Sequence, residues 1–92
     1  LEASIGLITA LAFKAVGDPA WDSDQGVKDY LAFMKEWYPE GNPIDGGNQV
    51  GYTSAMMAEI ILKNCGDELT RDNVLKQATS ISQVSLPLFL PG

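Results

Sequence analysis

At 92 residues, with 46% hydrophobic and 20% charged side chains, the chain has the size and balance of one small folded unit, which excludes disordered and collagen-like classes. Twelve acidic against six basic residues leave a net charge of -6, which opposes nucleic-acid backbones and anionic lipid surfaces alike. There is no histidine, the commonest general base and metal ligand, and the single cysteine, Cys65, defines no disulfide framework.

The N-terminal stretch "LEASIGLITALAF" lacks a basic lead-in and is too short to span a bilayer, so no targeting or membrane segment is expected in it. Within it, Ile5 to Phe13 is apolar on both alternating sets apart from Thr9, the pattern of a strand covered on both faces of a mainly parallel sheet. A helix is the alternative, because Leu and Ala dominate and periodicity does not decide over so short a run. "KAVGDPAWDSDQG" follows, where Gly17, Pro19, Gly26 and the aspartates predict a long connection of the kind that carries hinges or function.

Val27 to Tyr38 predicts a helix with Val27, Tyr30, Leu31, Met34, Trp37 and Tyr38 on its buried face and Lys28, Asp29, Lys35 and Glu36 opposite. Pro39 ends it, and "PEGNPIDGGN" reads as a second loop. Gln49 to Cys65 predicts another helix, with Gly66 at the position of a left-handed cap. Its broad apolar arc is Val50, Gly51, Ala55, Met57, Ala58, Ile61, Leu62 and Cys65. Gln49, Thr53, Glu59, Lys63 and Asn64 lie opposite, invaded by a second apolar line, Tyr52, Met56 and Ile60, so two partners are expected. Thr70 is placed to cap a third helix, with Asp72 in its first turn and a buried stripe of Val74, Leu75, Ala78 and Ile81. The closing "VSLPLFLPG" alternates Val84, Leu86, Leu88 and Leu90 like an extended segment that Pro87 restricts to an edge.

Four strings in this order, "GLITALAFKAVGDPAW", "GVKDYLAFMKEWYPEGNP", "GYTSAMMAEIILKNCGDELTRDNVLKQA" and "LPLFLPG", resemble the periplasmic solute-binding proteins of ATP-binding-cassette (ABC) importers, in the branched-chain amino acid (Leu/Ile/Val) branch. The resemblance implies an α/β chain: a C-terminal-half fragment of a two-lobe type I periplasmic-binding-protein fold, with one buried strand, about three helices and an extended apolar tail. Residues 1–14 would be a strand segment of the second lobe, 15–26 a crossover, and 27–92 the helical part of the first lobe. It implies no enzyme and no cofactor. The expected role is extracytoplasmic capture of an amino acid or aromatic carboxylate by cleft closure, with delivery to an ABC permease.

The positions that resemble cleft-lining ones are Ala12 and Phe13 at the strand end, and Asn48, Gln49 and Tyr52 at the start of the second helix. There, free backbone N–H groups after "DGG" suit a carboxylate or polar ligand edge. An ordinary capped turn is the alternative. Gln49 stands where the family often has an aromatic residue.

Other constellations favour plainer readings. Gly46, Gly47 and Gly51 lack dinucleotide spacing. A calcium loop from Asp22 would meet Val27 and Phe33 where Gly and Glu are required, so a solvated acidic loop is expected and no metal. Tyr30, Phe33, Trp37 and Tyr38 read as core, and Cys65, without a histidine base, as a buried thiol. Two further readings stay open: a small acidic helical module that binds a partner protein, and self-association or segment swapping that covers surplus apolar faces.

Overall fold

Asp24 opens the first helix. Its carboxylate accepts the Val27 backbone N–H at 3.0 Å, satisfying an orphan donor of the first turn, and the chain then runs as α1 (Gln25–Trp37). The computed structural model describes residues 2–91. Leu1 and Gly92, the outer ends of the predicted strand segment and tail, lie outside them. Asp45 caps α2 (Gly46–Cys65) in the same way through the Gly47 N–H, and Thr70 caps α3 (Arg71–Thr79) through that of Asn73. Single 3₁₀ turns occupy Glu2–Ser4 and Pro19–Trp21.

The α/β expectation is overturned: three helices and no strand are present among the described residues. Residues 5–12 are neither strand nor buried. Ile5, Leu7, Ile8 and Leu11 are exposed, Ile8 to 97%, and Gly6 bends the segment at φ +93° directly after the 3₁₀ turn. The physical reason is that an apolar run encodes a demand for cover, whereas a strand also needs neighbouring backbone to complete its ladder. Only Phe13 finds such a neighbour, in an isolated antiparallel bridge to Phe89. Lys14 N–H donates to Leu88 C=O at 2.7 Å, and Leu90 N–H to Ala12 C=O at 2.8 Å, on either side of that bridge.

The tail is therefore pinned, though not as one extended line. Phe89 N–H returns to Leu86 C=O, closing a turn at Pro87 and Leu88 that buries Leu86 and Leu88 while Val84 and Leu90 stay exposed. Pro87 lies on the first turn of α1 so closely that a Cβ at Gly26 would sit 2.7 Å from Pro87 Cβ, which makes the missing side chain of Gly26 a packing requirement. The core is small: Val16, Val27, Tyr30, Met34 and Leu88, flanked by Phe13, Trp21 and Tyr52. Tyr30 and Tyr52 meet edge to face at 5.1 Å, joining α1 to α2.

In α1 the predicted face is buried at Val27, Tyr30 and Met34, while Leu31, Trp37 and Tyr38 remain exposed. For α2 the predicted sides are largely exchanged. Gln49 and Thr53 are buried, Val50 and Leu62 are about half exposed, and the second apolar line of Tyr52, Met56 and Ile60 is half buried. Cys65 is buried as expected. Gly66 takes a positive φ of +59°, but its ψ of -131° lies outside the left-handed helical region. Asn73 closes the turn between α2 and α3 by donating to Glu68 C=O at 2.8 Å. No residue of α3 is buried: of the predicted stripe Val74 is half-buried, Leu75 and Ala78 are exposed, and the half-buried Ile81 lies beyond the helix, so the stripe is only partly covered.

These open faces show in the dimensions. The radius of gyration is 16.3 Å and the extents are 53 × 31 × 22 Å. A compact domain of this length has a radius near about 12 Å.

Candidate functional site

The connection between Phe13 and α1 is held in place by charge and ring contacts. Lys14 Nζ pairs with Asp24 Oδ1 at 2.9 Å and lies 5.5 Å from the centre of the Trp21 ring, with its side chain mostly withdrawn from solvent. The hydrogen bond from Lys14, reinforced by that from the Val27 N–H, holds the Asp24 carboxyl below the usual carboxylate range. Asp18 receives the Ala20 N–H at 2.9 Å and starts the 3₁₀ turn that carries Trp21. The connection is thus an ordered strap.

Between α1 and α2 the loop is also tied. Tyr30 Oη donates to Pro43 C=O at 3.0 Å, Asn48 Nδ2 to Asn42 C=O at 2.9 Å, and the Ile44 N–H to Asn42 Oδ1 at 3.1 Å. Burial, with the Asp45 charge adding to it, pushes the Tyr30 phenol above its ordinary pKa. Ile44 leans over the strap: a Cβ at Gly17 would stand 3.3 Å from Ile44 Cδ1, and Gly17 has φ +97°.

This arrangement divides the five sequence-predicted site residues between two sides of α2. Phe13 and Gln49 line one cavity of about 470 Å³, together with Leu11, Lys14, Ile44 and Val50. Asn48 and Tyr52 line another, of about 530 Å³, with Phe33, Tyr38, Met56 and Glu59. Ala12 lines neither; it is exposed, and its carbonyl is used by Leu90. The five positions, expected as two places along one cleft, are distributed over two cavities, with Ala12 in neither. The division follows from helical geometry, because residues 48 and 49 are successive and project about 100° apart.

The two cavities differ in chemistry. That around Tyr52 is aromatic, with Phe33 and Tyr52 centroids 5.1 Å apart, and burial raises the Tyr52 phenol pKa with Asp29 contributing. Its one carboxylate, Glu59, is engaged by Lys63 at 2.8 Å, and that hydrogen bond lowers the Glu59 pKa. Asn48 is already spent on the loop.

The cavity around Gln49 is walled by apolar side chains and contains one free polar group. Gln49 is 7% exposed, and its side-chain amide forms no hydrogen bond with another described residue. One turn on, Thr53 is 5% exposed and its hydroxyl is likewise without a partner. The Thr53 hydroxyl is a buried polar group of a kind uncommon in folded proteins, whereas the Gln49 amide, without a protein partner, keeps some contact with solvent.

Sequence reasoning missed Ile44, Val50 and Lys14 as lining residues. Ile44 had a signal, as the only large aliphatic side chain in "PEGNPIDGGN"; Val50 lay in the arc expected to be core. No group of three or more His, Cys, Asp or Glu side chains placed to hold a metal ion occurs among the described residues. Among the described residues no helix is long and apolar enough to cross a membrane. No protein-family model matches the chain, and neither a curated protein nor a solved structure matches it.

Proposed function

We propose that the chain is part of an extracytoplasmic substrate-binding protein that captures a small organic solute, an amino acid or an aromatic carboxylate, and delivers it to an ABC permease. The observation that carries this reading is the meeting of Phe13 and Gln49. A residue at the mouth of the long connection and a residue in the first turn of α2 line one apolar cavity, although 36 positions separate them in sequence. The cavity volume falls within the about 300–1,000 Å³ typical of small-molecule sites. Further support comes from the ordered strap between Lys14 and Asp24, which suits a crossover about which lobes hinge. The exposed run from Ile5 to Leu11 suits a segment whose cover lies on other chain. The role is binding, not catalysis, and the compartment is periplasmic.

The test is calorimetric titration of the gene product that contains residues 1–92 with branched-chain amino acids and aromatic carboxylates, alongside small-angle X-ray scattering. Micromolar or tighter binding with a fall in radius of gyration is expected. Absence of heat for every solute would remove this reading.

A second reading, a small acidic helical module that binds a partner protein, is favoured by the all-helical architecture and the aromatic groove of Phe33, Tyr38 and Tyr52. Pull-down with a Tyr52→Ala control separates it: loss of a stoichiometric protein partner on substitution would favour the module.

A further inference from the structure

Gln49 is the only neutral polar side chain that lines its cavity, and it forms no hydrogen bond with another described residue. Leu11, Phe13, Ile44 and Val50 supply apolar walls, and the ammonium of Lys14 is already paired with Asp24 and set against Trp21. An ammonium brought here would be desolvated beside the Lys14 ammonium, and a carboxylate would have to compete with Asp24 for it. A saturated hydrocarbon would leave the Gln49 amide dry and unpaired, which is also unfavourable. A ring that carries one neutral hydroxyl avoids both penalties: its faces rest on Phe13 and the aliphatic walls, and its O–H can donate to the amide oxygen or accept from the amide N–H. Leu11, Ile44 and Val50 are all substantially exposed, so the cavity opens to solvent at their side.

We propose that this cavity takes the neutral, hydroxyl-bearing aromatic end of a ligand, with Gln49 as the residue that selects the hydroxyl. The proposal rests on the solute-binding reading and narrows the solute to a phenol-type molecule, any charged group of which is held outside this cavity.

The experiment uses p-cresol and toluene, equal rings with and without the hydroxyl, titrated into the 92-residue chain and followed by the Gln49 side-chain amide resonances in ¹⁵N–¹H spectra. p-Cresol is expected to shift those resonances and to bind about fivefold to tenfold more tightly than toluene, the range of one neutral hydrogen bond. Gln49→Leu should reduce that ratio to near one while leaving toluene binding in place. Val50→Trp, which fills the cavity and keeps Gln49, should abolish both. Circular dichroism establishes that each variant retains its helices. Equal affinity for the two probes, an unmoved Gln49 amide, or undiminished discrimination in Gln49→Leu would overturn the proposal. The parent reading fails separately: if an aromatic carboxylate binds the larger gene product while Gln49 is silent, solute capture stands and the assignment of the hydroxyl pocket falls. If p-cresol binds through Gln49 but no carboxylate or amino acid is captured, the reverse holds.

Discussion

Phe13 and Phe89 stack with ring centroids 4.5 Å apart and planes inclined by 27°, directly over the one antiparallel bridge that joins their backbones. Seventy-six positions apart in sequence, they are the clasp that returns the tail to the head of the strap. It adds to the backbone bonds of Lys14 with Leu88 and Leu90 with Ala12 in holding the fully buried Leu88 in the core beside α1.

Phe89→Ala should therefore destabilise the fold by about 2 kcal/mol, less than for a fully buried phenylalanine because the ring is only partly covered. Combining it with Phe13→Ala should show a coupling of about 1 kcal/mol, as stacked rings do. Urea unfolding monitored by circular dichroism measures both, and strictly additive losses would mean that the rings do not support each other.

Gly26 is required by contact and not by backbone angle, since Pro87 Cβ and C=O stand where a side chain would begin. Gly26→Ala gains helix propensity in α1, yet the overpacking of about 1–3 kcal/mol should win. A lower urea midpoint is expected. Gly46→Ala, in open space at the start of α2, should be neutral or slightly stabilising in the same assay.

Asp24 makes stability depend on acid. Its folded pKa is depressed by Lys14 and the Val27 N–H, so the folded state releases this proton more readily than the unfolded chain. The contribution is complete above the unfolded carboxylate pKa and is lost as pH falls through the folded value. Melting temperatures measured downwards from neutral pH should fall in the acid range more steeply for the native chain than for Asp24→Asn. Parallel curves would show that the pair carries no such linkage.

Ile5, Leu7, Ile8 and Leu11 present a row of uncovered apolar side chains. Segments of this kind associate in proportion to the area that they hide. Sedimentation velocity at several concentrations should show a rising mean mass for the native chain, and Ile8→Asp should lower it. A monomer at every concentration would count against self-association through this segment.

The start of α3 was legible in the sequence because capping is local, whereas α1 and α2 begin at Gln25 and Gly46, two and three residues before the expected Val27 and Gln49, because Asp24 and Asp45 cap them through glycine-containing first turns. Thr70 with Asp72 identified the N-terminus of α3 on the range of a single turn, and Gly66 marked the end of α2 by needing a positive φ. Val27, Tyr30 and Met34 were readable as a buried face for the same reason. The direction in which α2 turns was not legible, since both of its sides carry apolar lines and only the position of Tyr30 settles that Tyr52 meets the core. At the site, Phe13 and Gln49 were foreseeable as residue types in suitable places; that Asn48 and Tyr52 face away from them follows from the rotation of the helix.

By itself the sequence determined that three helices form, where the third begins and how much apolar surface the chain carries, because capping, helical periodicity and side-chain hydrophobicity act over a few residues. Only the tertiary structure decided which of those surfaces are covered. Burial and strand pairing depend on atoms brought from far along the chain: Phe89 supplied them for Phe13, and nothing among the described residues supplied them for Ile8.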